Sequence, residues 1–236
     1  MILVIDCGNS RLKWGASLEG RWIASGTRRY ADTQGLGAEW SALPAPRSIV
    51  IANVAGESAQ TALAPYLAHL PVAARWVRAQ ARQCGVHNGY REPARLGADR
   101  WAALIGARFL QAGGCVVVMA GTATTVDRLD ADGRFRGGLI LPGADLMKQA
   151  LASNTADLPL ASGQWSPEPA ATDDAIESGC IEAQLGAIER MHARMGSDTT
   201  CLMSGGAAAS LAPLLNIPVR VVDNLVLEGL VRIASE

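Results

Sequence analysis

One strand–turn–strand pattern is written twice in this chain, and the copies keep a constant spacing. Leu3-Val4-Ile5 leads into Gly8-Asn9-Ser10, and Val116-Val117-Val118 leads into Gly121-Thr122-Ala123. Downstream, Gly20-Arg21-Trp22 has its counterpart in Gly133-Arg134-Phe135. Residues 4 and 117, 8 and 121, and 20 and 133 are each 113 positions apart. An apolar run, a glycine turn and a second glycine turn that share one offset point to a duplicated domain half. Each copy reads as a buried strand, a tight turn with small hydroxyl or amide residues, and a returning strand. Glycine lets backbone N–H groups approach a ligand, and successive N–H groups in a turn form an anion-binding concavity. Two such turns facing each other would hold the phosphates of a nucleotide between two lobes.

Length and composition narrow the partners. At 236 residues the chain suits one large or two small domains, and with 49% hydrophobic residues it can build a sizeable core for either. The net charge of −1, with no block of like charges, argues against a nucleic-acid footprint or a polybasic membrane anchor. Cys7, Cys84, Cys115, Cys180 and Cys201 are scattered, with no Cys-x-x-Cys pair, and read as reduced, buried thiols. His69, His87 and His192 form no ligand cluster. The apolar run 1–5 is broken by Asp6 and lacks a basic leader, so no signal peptide is expected. No apolar stretch reaches the roughly 20 residues of a bilayer span. The expectation is a soluble, cytoplasmic protein with no nucleic-acid or membrane partner.

Periodicity predicts a first lobe over 1–114, with strands at 2–5, 11–17, 21–26, 48–52 and 72–77 and a helix over 57–70. The polar, Gly- and Pro-punctuated stretch 80–96 reads as a long functional loop. A helix over 99–111 and Gly113-Gly114 close the lobe. The second lobe, 115–236, repeats strands at 115–119, 124–129 and 136–141, then a helix from Pro142-Gly143 to 151. An irregular stretch over 154–170, a long helix over 172–195, strands at 201–203 and 219–222, and helices over 207–211 and 224–234 complete it. The class is α/β.

Three places carry candidate chemistry. The segment Asp6-Cys7-Gly8-Asn9-Ser10-Arg11-Leu12-Lys13 joins a strand-end carboxylate, a glycine turn and a lysine on the returning strand. Asp6 could hold a hydrated Mg²⁺, Asn9, Ser10 and the turn amides could cradle phosphates, and Lys13 could neutralise a transferred phosphoryl group. Nothing matches a Walker A motif. Gly121 and Thr122 head the second turn. Gly205 and Gly206, between a strand and a helix, permit close approach of a flat ring or phosphate. At Gly97-Ala98-Asp99-Arg100, Asp99 reads equally as a helix N-cap or as a proton acceptor, and Arg100 could bind a carboxylate bidentately.

Together these segments, with Gly137-Gly138-Leu139-Ile140-Leu141-Pro142-Gly143 and Thr172-Asp173-Asp174-Ala175-Ile176-Glu177-Ser178-Gly179, resemble the type III pantothenate kinases in order and spacing along most of the chain. The resemblance implies a duplicated ribonuclease-H-like, actin-type ATPase fold, two lobes of mixed sheets flanked by helices. It implies ATP-dependent phosphorylation of pantothenate to 4′-phosphopantothenate, in coenzyme A biosynthesis. Residues 6–13 would form the phosphate and metal segment, Thr122 would touch ATP, and Gly205-Gly206 would belong to the adenosine motif. Asp99 would accept the proton of the substrate hydroxyl. Tyr90, Gly97, Ala98, Arg100 and Thr172 would contact pantothenate in a pocket that a homodimer interface helps to close.

The family usually has an aspartate two residues before the second turn's glycine, and it binds K⁺ or NH₄⁺. Here Met119 stands in that place, and a thioether supplies no hard anionic oxygen. Weak or absent K⁺ activation is the expectation. Two other readings compete with the kinase: a non-catalytic regulatory protein on the same fold, for which Met119 is the only sequence support, and a hydrolase using water as nucleophile. Asp6, Lys13, Asp99 and Arg100 weigh against the first. The constellation of Tyr90 with 97–100 weighs against the second.

Overall fold

The computed structural model describes residues 1–236. It divides into two compact units, Met1–Ala112 with Asn224–Glu236, and Gly113–Asp223.

The first unit opens with β1 (Ile2–Cys7), β2 (Leu12–Leu18) and β3 (Arg21–Arg28) as an antiparallel meander. After a 3₁₀ turn (Tyr30–Gly35) and the short helix α1 (Leu36–Ser41), β4 (Ser48–Asn53) adds parallel to β1. Helix α2 (Glu57–Leu67) leads to β5 (Ala74–Trp76), parallel to β4. The sheet order is β3-β2-β1-β4-β5. β1 is central and apolar on both faces, as a strand covered on both sides should be. Leu3, Ile5, Leu12, Ile49 and Ile51 share its core with Leu36, Trp40 and Leu63.

The stretch 80–96, expected as a loop, is more ordered than its composition suggests. It holds a two-stranded hairpin, β6 (Arg82–Gln83) and β7 (Val86–Asn88), and a 3₁₀ turn at Pro93–Arg95. The strands are too short to show alternation, which is why pattern reading missed them. The hairpin turn carries Cys84 at φ 47° and Gly85 at φ 77°, the left-handed pair of a tight two-residue connection. Helix α3 (Ala98–Leu110) follows.

The second unit repeats the plan. β8 (Cys115–Ala120), β9 (Ala123–Leu129) and β10 (Arg134–Pro142) form an antiparallel meander. Helices α4 (Ala144–Asn154) and α5 (Thr172–Ala193) precede β11 (Thr200–Ser204), parallel to β8. The short helix α6 (Ala208–Leu211) leads to β12 (Val219–Val221), parallel to β11. Within this unit the order β10-β9-β8-β11-β12 reproduces that of the first, strand for strand. β8 begins and ends 113 residues after β1. The second core joins Val116, Val118 and Val126 to Leu185, Ile188 and Met203.

The last helix, α7 (Leu225–Ser235), belongs to the first unit, although the chain reaches it after the whole second unit. It lies against α3 so closely that a Cβ on Gly229 would run into the Ala102 carbonyl, and one on Gly106 into the Leu225 carbonyl. Of the cysteines, Cys7, Cys115, Cys180 and Cys201 are buried and free as expected, while Cys84 is partly exposed. No helix is long and apolar enough to cross a membrane.

Candidate active site

The first glycine turn is built by strand pairing. Cys7 and Leu12 form the last β1–β2 pair, and Gly8 N–H donates to the Arg11 carbonyl at 3.1 Å to close residues 8–11. Tyr30 O–H braces the turn by donating to the Gly8 carbonyl at 2.7 Å. Asn9, Ser10 and Arg11 are exposed at the tip. Cys7 and Leu12 point into the core with no exposure, so a ligand could meet only their backbone. Burial pushes the Cys7 thiol up to about 12, with the Asp6 charge adding, and it stays protonated at neutral pH. Asp6 pairs with Lys13 across β1 and β2.

Asp6 and Asp99 come from opposite ends of the first unit's sequence and lie within electrostatic reach of each other. Asp6 Oδ1 is enclosed and has no hydrogen-bond partner. Burial raises the Asp6 carboxyl to about 7, the Asp99 charge adds to the rise, and Lys13 opposes it. Asp99 is also held above the usual carboxylate range by burial, against the Arg100 backbone amide and guanidinium, which favour its charged form. Two groups on Arg100 support the charge of Asp99, whereas only Lys13 does so for Asp6.

The N-terminus of α3 shows which job Asp99 has in the helix. The N-cap is Gly97, whose carbonyl accepts the Trp101 N–H at 2.9 Å. Asp99 is the second helical residue, and its Oδ1 accepts the Arg100 N–H at 2.7 Å. It is not the cap. A Cβ on Gly97 would lie 2.6 Å from Asp99 Oδ1, so glycine is what lets the backbone pass this carboxylate. Arg100, only 4% exposed, donates from Nη1 to Tyr90 Oη at 2.9 Å. Its guanidinium carbon sits 5.7 Å from the centre of the Tyr90 ring.

In the second unit the turn after β8 is one residue tighter. Gly121 N–H donates to the Ala123 carbonyl at 3.2 Å, and Ala120 pairs with Thr124. Gly143 N–H donates to the Thr122 carbonyl at 2.8 Å, and Ala207 N–H to the Ala120 carbonyl at 3.1 Å. Gly205, at φ 109°, passes so near Ala120 that a Cβ there would strike its carbonyl. The second turn and Gly205-Gly206 thus form one cluster, joined by Gly143, which sequence reading had placed only at a helix start. Met119 occupies in β8 the place of Asp6 in β1, opposite Thr125 on β9. Thr172 is the first residue of α5. It lines an open apolar cleft of about 780 Å³ between α4 and α5, which also involves Met147, Leu151, Ile176 and Cys180. That cleft belongs to the second unit and is not built from the Asp6–Asp99 pair.

Comparison with known proteins gives this geometry its family. The type III pantothenate kinase family model matches residues 2–194. The chain belongs to the type III pantothenate kinase family. A type III pantothenate kinase of Aromatoleum aromaticum is 52% identical over 238 residues, covering 100% of this chain and 98% of the relative. Among solved structures, a Campylobacter jejuni protein described as a Baf family transcriptional activator superposes with a TM-score of 0.63 at 21% identity, covering 99% of this chain and 97% of its own. A Sinorhizobium meliloti protein described as a 2-dehydro-3-deoxygalactonokinase gives 0.61 at 19% identity, covering 98% and 97%. At such identities the likeness speaks for the fold alone, that of sugar kinases and actin-like ATPases. As a member of its family, the chain is a kinase that phosphorylates pantothenate in coenzyme A biosynthesis, with ATP as the phosphoryl donor.

Proposed function

We propose that Asp99 accepts the proton of the pantothenate hydroxyl as that oxygen attacks the γ-phosphorus of ATP. The observation that carries this reading is the place of Asp99, half-buried at the start of α3 beside Arg100 and within electrostatic reach of Asp6. A charged, desolvated carboxylate is a competent base, and its raised pKa brings it closer to working pH. The product is 4′-phosphopantothenate. Arg100 and Tyr90, with the backbone at Gly97 and Ala98, hold pantothenate beside Asp99, and the family resemblance also gives Thr172 a pantothenate contact.

Asp6 fits a divalent metal: its Oδ1 is enclosed without a partner, and burial makes an uncompensated charge there costly. Mg²⁺, when bound with ATP, would neutralise charge on the phosphate oxygens. Asn9, Ser10, Arg11 and Thr122 supply the phosphate contacts from the turn tips, since the Gly8 and Gly121 amides are committed to closing the turns. Cys7 and Leu12 contribute backbone only. Lys13 offsets the charge that develops on the transferred group. Gly205 and Gly206 make room for the adenosine moiety. Most of the rate enhancement comes from positioning and charge stabilisation. Met119 leaves this member with weak or no K⁺ or NH₄⁺ activation.

The protein acts in the cytoplasm as a homodimer. The apolar cleft between α4 and α5 supports this, as do Ile140 on β10 and Leu146 on α4, which are exposed at 64% and 42%. A covering subunit would bury these exposed apolar side chains.

One assay tests the chemistry. Purified protein is incubated with ATP and Mg²⁺, with and without pantothenate, and ADP is followed with and without KCl. Pantothenate-dependent ADP release, little changed by K⁺, is expected. Asp99→Asn should lower turnover by at least about a hundredfold while nucleotide binding persists. Near-normal turnover in that variant would remove Asp99 from its role. ADP release without pantothenate would mean a hydrolase, and none at all a regulator. A sharp, saturable K⁺ requirement would overturn the reading of Met119.

A further inference from the structure

The hairpin that precedes α3 and the loop after it each touch that helix, at consecutive residues. Gln83 on β6, 8% exposed, accepts the Nε1–H of fully buried Trp101 at 3.0 Å. The hairpin turns through Cys84 and Gly85, Val86 pairs back with Gln83, and Asn88 N–H donates to the Ala81 carbonyl at 2.9 Å. Asn88 folds the next stretch back: its Oδ1 accepts the Tyr90 N–H at 3.0 Å, and its Nδ2 donates to the Pro93 carbonyl at 3.1 Å. Tyr90 Oη finally meets Arg100 Nη1. Three hydrogen bonds, Trp101 to Gln83, Tyr90 to Asn88 and Arg100 to Tyr90, joined by the hairpin chain between them, fix residues 83–90 at both ends to neighbouring residues of one helix.

An outer contact seats the same hairpin. The Glu236 side chain, next to the end of α7, accepts from Cys84 N–H at 3.0 Å and lies 3.5 Å from Cys84 Sγ. Burial keeps that thiol protonated, the Glu236 charge adding to the effect, so the sulfur is a donor. The Glu236 contact is exposed and weak. The Gln83–Trp101 bond is buried, and a buried amide that loses its partner carries a full desolvation penalty.

We infer that Gln83 is a positioning residue for pantothenate: by pinning the hairpin to Trp101 it sets where the Tyr90 ring meets Arg100. This rests on the proposed pantothenate pocket. The physical argument is one of tolerance. A binding constellation loses affinity when its groups drift by about half an ångström, and groups carried on loops need an outer shell to hold them. Tyr90 is on such a loop, and Gln83 is the buried polar anchor of the hairpin leading into it.

The test uses Gln83→Leu, Trp101→Phe and the double variant: each removes the Gln83–Trp101 bond, and Gln83→Leu also removes a Gln83 hydrogen bond to Glu236, with steady-state KM measured separately for pantothenate and ATP. Each single variant should raise pantothenate KM by roughly tenfold and leave ATP KM within about twofold. The double variant should be no worse than the worse single, since one interaction is lost either way. A loss of folded protein would lower apparent kcat and leave both KM values in place, so the KM shift separates positioning from stability. If Gln83→Leu does not fold, Trp101→Phe decides the matter. An unchanged pantothenate KM in a folded single variant would overturn the inference, and so would fully additive losses in the double. Tyr90→Phe serves as the control. If it raises pantothenate KM while Gln83→Leu does not, this inference alone fails; if Tyr90→Phe has no effect, the pocket reading beneath it fails as well.

Discussion

Asp99 sits where two forces on a carboxylate oppose each other. A first-turn aspartate is favoured by the helix N-terminus, and Arg100 supports its charge, yet its pKa is raised because desolvation outweighs both. Sequence alone left cap and base balanced, because both jobs ask for the same residue before the same helix. Gly97 as N-cap resolves the ambiguity.

Asp6 carries the larger consequence for stability. Its folded-state pKa, about 7 against an ordinary 3.8, means the folded protein binds this proton more tightly than the unfolded chain does. The group's stabilising contribution is therefore complete below about pH 4 and is lost as pH rises to about 7, with a slope of at most about 1.4 kcal/mol per pH unit. Without metal or nucleotide, the thermal midpoint should fall between pH 5 and 7. Asp6→Asn should flatten that dependence and melt higher at pH 7. A wild-type midpoint that rises over this range, or a variant with the same slope, would contradict the burial of an uncompensated charge.

At the level of strands and helices, the meanders were readable because alternation and glycine turns are local. The 113-residue offset between the copies survives in β1 and β8, while the turn that follows differs by one residue. The 82–88 hairpin was not readable, since its strands are too short for a period. Nor was the packing of α7 on α3. Gly106 and Gly229 look like weak points in two helices until the close approach of their backbones is seen. Gly229→Ala should destabilise the protein by about 2 kcal/mol or more, because the added methyl meets a backbone carbonyl that cannot move aside. Gly186, where a Cβ meets nothing within 4 Å, should accept alanine without loss. Chemical denaturation of both variants checks the pair, and equal midpoints would remove the close-packing argument.

At the level of the entire chain, α7 returns to the first unit after the second is complete. Periodicity predicts that helix correctly but cannot say which core receives it, because an amphipathic helix fits any apolar face of the right width. The same limit applies to the α4–α5 cleft, whose apolar residues resemble ordinary core in one dimension. The proposed homodimer makes a direct prediction. Light scattering after size exclusion should give twice the 24.7 kDa chain mass, and Leu146→Asp with Ile140→Asp, both at exposed positions, should yield monomers with a raised pantothenate KM. A monomeric wild type with full activity would sink that reading.

Order along the backbone was enough to reveal a duplicated α/β chain, its two glycine turns and the family whose motifs it carries, because each of those signals spans only a few neighbouring residues. Folding alone could bring Asp6 up to Asp99, seat Gly205 and Gly143 on the second turn, and tie Gln83 to Trp101. Those contacts join residues far apart in the chain, and the pKa of a carboxylate depends on what surrounds it in space.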